Sequence, residues 1–121
     1  DDGPLLLLVY PEGTDLSPSN VEKSKAFGKA RKLGTWSNVL IPRTNGAKMA
    51  IRATNPDAVY DLTVRYFTSN RKRPTEEGLL LKGIVPYQVS YVAERFVPSD
   101  IPLADGGAFE EWLLKRWALK E

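Results

Sequence analysis

The sequence contains no histidine and no cysteine. Without histidine there is no imidazole general base, no Ser-His-Asp triad and no supply of the commonest transition-metal ligand. Without cysteine there is no disulfide framework, thiol nucleophile or thiolate metal site. No catalytic residue and no metal ligand set is therefore assigned within these residues. Long apolar runs are missing too: none reaches the roughly 18 residues of a membrane-spanning helix. Neither sign of charge prevails, since 17 Lys and Arg stand against 15 Asp and Glu, a net +2. That balance alone does not indicate nucleic acid. What remains is an ordinary globular composition, 42% apolar and 26% charged over 121 residues, enough for a single domain with a real core.

The chain is organised around its first apolar run, Leu5-Leu6-Leu7-Leu8-Val9, which ends in Tyr10-Pro11-Glu12-Gly13-Thr14-Asp15. A run of this length suits a strand buried on both faces, as in a parallel sheet, and Pro11 closes it. Such a strand needs neighbours, and Asp1 to Pro4 cannot provide them, so a fragment lacking its N-terminal part is expected. A helix is predicted from about Asn20 to Leu33, with Phe27, Ala30 and Leu33 buried and Gly34 as its stop. Its other faces carry Lys23, Lys25, Lys29, Arg31 and Lys32, read as solvated. Val39-Leu40-Ile41 is a second short strand, ended by Pro42-Arg43-Thr44. Strand, helix and strand in that order imply a right-handed unit with parallel strands.

A short helix is predicted from Thr44 or Asn45, with Ala47, Ala50 and Ile51 inward. Ala58 to Phe67 alternates, placing Tyr60, Leu62, Val64 and Tyr66 on one face expected to be buried. Tyr87 to Val97 alternates likewise and should pair with it in antiparallel fashion. Between them, 68–83 reads as a polar loop carrying Arg71-Lys72-Arg73 and Leu79-Leu80-Leu81. A last helix, capped by Asp105 or Gly107, repeats Phe109, Trp112, Leu113 and Trp117 at helical spacing. The expected fold class is α/β, a mixed, partly parallel sheet with helices packed on it.

Parallel strands would bring Glu12-Gly13-Thr14 and Arg43-Thr44-Asn45 to one rim, where open α/β sheets bind ligands. The amides at the start of the next helix would face that rim and favour an anion. Arg43 suits phosphate because its planar fork gives two parallel charge-assisted hydrogen bonds. Glu12 would repel an anion, which points it towards a hydroxyl-rich ligand or a structural role.

Four blocks then carry a family resemblance. Tyr10-Pro11-Glu12-Gly13-Thr14-Asp15-Leu16 resembles the Phe-Pro-Glu-Gly-Thr block of glycerolipid acyltransferases related to 1-acylglycerol-3-phosphate acyltransferase. Val39-Leu40-Ile41-Pro42-Arg43-Thr44-Asn45-Gly46 is similar to the Pro-Arg-Thr-x-Gly block of one branch, which includes lysocardiolipin and lysophosphatidylinositol acyltransferases. Ala58-Val59-Tyr60-Asp61-Leu62-Thr63-Val64 resembles that branch's Ala-Val-Tyr-Asp strand. Trp112-Leu113-Leu114-Lys115-Arg116-Trp117 resembles its closing Trp-x-x-x-(Arg/Lys)-Trp helix.

The resemblance implies transfer of a fatty acyl group from acyl-CoA, a co-substrate and not a cofactor, to a lysophospholipid hydroxyl. The setting it implies is a membrane, that of the endoplasmic reticulum. It assigns acceptor binding to Glu12, Gly13 and Thr14, and substrate binding to Pro42, Arg43 and Thr44. Many relatives carry arginine where this chain has Asp15, which moves the expected acceptor away from simple lysophosphatidic acid. The family's catalytic His-x-x-x-x-Asp block lies before Glu-Gly-Thr, and no histidine stands here. Residues 1–121 are thus expected to be one domain or fragment, the C-terminal part of an acyltransferase domain, inactive alone. Two other readings stay open: a non-catalytic lipid- or protein-binding domain of the same descent, and a domain binding a phosphorylated small molecule.

Overall fold

The computed structural model describes residues 3–69, 72, 74–104 and 106–121. Four helices and a two-stranded antiparallel sheet follow in the order α1 (Pro18–Ala30), α2 (Thr44–Thr54), β1 (Val59–Phe67), α3 (Glu76–Lys82), β2 (Gln88–Phe96) and α4 (Ala108–Ala118). The class is mixed α/β, as expected. The chain divides into two compact units, one formed by 1–59 with 97–121 and the other by 60–96.

In the first unit the core comprises Leu40, Ile41, Ala47, Ile101, Phe109, Leu113 and Trp117. Phe109, Leu113 and Trp117 recur every four residues, so one stripe of α4 supplies nearly half of it. α2 packs against α4 and contributes Ala47, with Ala50 and Ile51 half-buried behind it. The order of burial along α2 and α4 is the one their spacing predicts. Gly107 is the residue before α4; the other capping candidate, Asp105, lies outside the described residues. Trp112 stacks obliquely on Phe109 with ring centroids 5.6 Å apart.

α1 begins at Pro18, which presets the first-turn backbone angle, and ends at Ala30, short of the expected Leu33. Its buried residue is not the predicted Phe27 or Ala30, both exposed, but Gly28. The chain crosses α1 at that point. A Cβ on Gly28 would collide with the Gly34 carbonyl oxygen and stand 2.7 Å from Ile41 Cδ1. Contact here is made by backbone and not by an apolar stripe.

The two predicted parallel strands do not form. Leu5 to Tyr10 has no regular structure, and every residue in it is exposed, Leu6 to 94%. A strand exists only when a neighbour supplies a ladder. The backbone bonds made by this stretch are a turn, Gly13 N–H to Tyr10 C=O at 3.0 Å, and one rung just beyond it, Arg43 N–H to Pro11 C=O at 2.7 Å. Segment 39–41 is likewise irregular, and its amides go to side chains instead of a ladder. The parallel part of the expected sheet therefore has no counterpart among the described residues.

In the second unit β1 and β2 pair as expected, closed by Tyr87 N–H to Phe67 C=O at 2.9 Å. Their apolar face is not buried: Tyr60, Leu62, Val64, Tyr66 and Tyr91 are all exposed. Strict alternation reports which residues share a face, and no described element of this unit lies on that one. The expected loop contains a helix, α3, started by Thr75, whose hydroxyl accepts the Gly78 N–H at 2.9 Å, and ended by Gly83 at φ +61°. Arg71 and Arg73 lie outside the described residues. No helix among those described is long and apolar enough to cross a membrane.

Candidate anion site at the Gly13 turn

The turn after Tyr10 is made by Gly13, which sits at φ +70°. That left-handed conformation strains any residue with a Cβ. The turn also brings Gly13 against Arg43. A Cβ at Gly13 would stand 3.5 Å from both Cδ and Nε of Arg43, so the guanidinium stem lies across the bare backbone.

Arg43 itself is fixed from behind. Pro42 is buried and locks the chain, and the Arg43 amide bonds Pro11. Its side chain is exposed, and the guanidinium has neither a hydrogen bond nor an ion pair among the described residues. α2 starts one residue later, at Thr44, with no side-chain cap and no acidic residue in its first turn. Its first amides and the positive end of its dipole therefore remain available beside the cation. Such a pairing suits an anion.

Segment 37–43 that delivers Arg43 is held by groups distant in sequence. The amides of Ser37, Asn38 and Val39 donate to the Glu121 carboxylate at 2.8, 2.8 and 3.3 Å. Leu40 N–H donates to Glu12 Oε2 at 3.1 Å, and Ile41 N–H to Ser24 Oγ at 2.9 Å. Each amide from 37 to 41 is thus satisfied by a side chain, which explains why an apolar run that looks like a strand is not one. Glu12 also receives Trp117 Nε1–H from α4 on Oε1 at 3.0 Å. Thr14 and Asp15 turn the other way, joined at 3.1 Å and held by Asn20 Nδ2, which reaches Thr14 Oγ1 at 2.9 Å and Asp15 Oδ1 at 2.8 Å.

The structure therefore brings Glu12, Gly13, Pro42, Arg43 and Thr44 into one neighbourhood, as the rim argument anticipates, with a different device. Side-chain clamps and a single backbone rung do what two parallel strands were expected to do. Thr14 stands next to this group in the chain and belongs to the Asn20 cluster. Sequence reasoning missed Ser24 and Asn20, and placed Trp117 in the stripe of α4 without its bond to Glu12. For Trp117 a signal existed: a buried indole N–H requires an acceptor, and acidic partners near an apolar cluster are few.

No protein-family model matches the chain, and no solved structure matches it. Curated proteins do. Lysocardiolipin acyltransferase 1 of Danio rerio is 34% identical over 122 residues, covering 98% of this chain and 30% of the relative. The 2-acyl-1-lysophosphatidylinositol acyltransferase of Saccharomyces cerevisiae is 32% identical over 127 residues, covering 98% and 32%. A probable 1-acyl-sn-glycerol-3-phosphate acyltransferase of Arabidopsis thaliana is 32% identical over 119 residues, covering 97% and 30%. The chain spans just under a third of the length of these relatives.

Proposed function

This chain belongs to the family of lysocardiolipin, lysophosphatidylinositol and 1-acylglycerol-3-phosphate acyltransferases, and from that premise we propose that it is the acceptor-binding part of an acyl-CoA-dependent lysophospholipid acyltransferase. In the reaction an acceptor hydroxyl attacks the thioester carbonyl, an ester C–O bond forms, and the C–S bond breaks to release the CoA thiol. A base must take the hydroxyl proton. These residues include no histidine, so their contribution is to hold the acceptor and not to move that proton.

One observation carries the reading. Arg43 is exposed, lies across the glycine of the Glu-Gly-Thr turn and adjoins an uncapped helix N-terminus. The guanidinium takes the headgroup phosphate, Gly13 allows close approach of the ligand to backbone, and Pro42 and Thr44 set the geometry on either side. Thr14 follows Gly13 in the chain and is held by Asn20. Acyl-CoA is the second substrate, a lysophospholipid the partner, and the endoplasmic-reticulum membrane the setting; the lysocardiolipin and lysophosphatidylinositol in the relatives' names support the second of these.

The test compares Arg43→Ala with the parent sequence in a complete acyltransferase bearing this segment. The acceptor KM should rise about tenfold or more, the value of a charge-assisted bidentate contact, while the acyl-CoA KM stays within twofold. Equal changes in both constants would refute the phosphate role. The 121-residue chain incubated with acyl-CoA and lysophospholipid should give no product above blank.

A further inference from the structure

Glu12 belongs to the block that the family resemblance assigns to acceptor contact, yet its carboxylate is engaged with the protein. Oε1 accepts the indole N–H of Trp117, and Oε2 accepts the amide of Leu40. We propose that Glu12 is a positioning residue that sets where Arg43 stands, and does not itself touch the headgroup. The inference rests on the reading of Arg43 as the phosphate ligand.

Three features connect the two residues without slack. Leu40, Ile41 and Pro42, the residues between the Glu12 bond and Arg43, are all buried, and the proline ring restricts the last of them. Glu12 is bracketed by the other two attachments of Arg43, the Pro11 carbonyl that accepts its amide and the Gly13 backbone under its side chain. Segments 11–13 and 40–43 are therefore fastened at three successive points, of which the Glu12 carboxylate is the only one made by a side chain bridging to a third element, α4. Trp117 is itself held, 8% exposed in the core with the Lys120 ammonium 4.2 Å over its ring, so the carboxylate is referred to a rigid part of the unit.

Charge argues the same way. A carboxylate touching a phosphate would repel it, whereas one engaged by two N–H donors behind the turn orients the cation without meeting the anion. Glutamine is nearly isosteric but presents only one oxygen. Whichever way its amide is turned, its NH2 faces either the Leu40 N–H or the Trp117 Nε1–H, and one donor loses its acceptor.

The experiment is a double-mutant cycle on the chain, with binding of lysophosphatidylinositol, below its micelle concentration, as the readout and Kd referred to the folded fraction. Arg43→Ala should weaken binding about tenfold and Glu12→Gln about three- to tenfold. The double variant should be no weaker than Arg43→Ala alone, because a residue that acts through Arg43 has nothing left to position. Trp117→Phe, which removes the donor and keeps most of the ring, should reproduce part of the Glu12→Gln loss and be silent in the Arg43→Ala background. Should Trp117→Phe fail to fold, the indole and Leu40 amide resonances report the same contact: Glu12→Gln should shift at least one of them. Losses that multiply in the double variant would show Glu12 contacting the headgroup, overturning this proposal and leaving the Arg43 reading intact. Unchanged binding in Glu12→Gln would overturn it as well. Unchanged binding in Arg43→Ala would remove the phosphate reading and this proposal together.

Discussion

Gly28→Ala is a substitution whose effect on stability reverses sign between local and tertiary reasoning. In an isolated helix alanine is better than glycine by about 1 kcal/mol. In α1 the added methyl would collide with the Gly34 carbonyl oxygen and come within 2.7 Å of Ile41 Cδ1. Ile41 can rotate, at the cost of its place in the core. The Gly34 carbonyl cannot, since that turn runs at φ +88° and is tied to the substituted residue through Leu33 N–H to Gly28 C=O at 2.9 Å. Overpacking of this kind costs about 1–3 kcal/mol. Taking the upper part of that range, because one colliding atom is backbone, and subtracting the propensity gain leaves a net destabilisation of about 1–2 kcal/mol. At about 4 °C per kcal/mol the thermal midpoint should fall by roughly 4–8 °C. The assay is thermal unfolding followed by circular dichroism, with Gly46→Ala in α2 as reference. Nothing lies within 4 Å of a Cβ at Gly46, so that variant should match wild type or exceed it by up to about 1 kcal/mol. A Gly28→Ala midpoint equal to or above wild type would refute the crossing of backbone on backbone.

Two other outcomes follow from the packing and the charge distribution. Phe109 is 1% exposed at the centre of its unit, so Phe109→Ala should cost about 3–5 kcal/mol; a urea midpoint close to wild type would contradict the core assignment. The basic residues of α1 (Lys23, Lys25 and Lys29) and of the turn after it (Arg31 and Lys32) should draw the chain to vesicles containing anionic lipid, each residue near the surface adding about 1 kcal/mol. Raising salt from 0.1 to 1 M should then abolish most of the binding; binding indifferent to salt would assign it to the exposed apolar residues instead.

How much was legible in the residues differs from element to element, for a physical reason. α2 and α4 were readable because their apolar positions recur at helical spacing and are buried by each other, a relation short enough to leave a periodic trace. β1 and β2 were readable as a pair because each alternates and presents one matching apolar face, although α3 lies between them in the chain. The Leu5–Tyr10 strand was not: apolar character states what a segment would bury, and no ladder partner is present among the described residues. The expected burial of the β1 face fails on the same ground, since Tyr60, Leu62, Val64 and Tyr66 share a side that stays exposed among the described residues.

The anion site divides in the same way. Residue type and spacing alone determined that Gly13 makes a turn, that Arg43 follows a proline at the start of a helix, and that no imidazole base is present. These are properties of single residues and of their immediate neighbours. Only the tertiary structure decided that Arg43 lies on Gly13, that Glu12 is engaged by Leu40 and Trp117, and that Gly28 must be a glycine. Each of those depends on the approach of groups between about 6 and 105 positions apart, and such approaches are set by the packing of the whole unit, which no local pattern records.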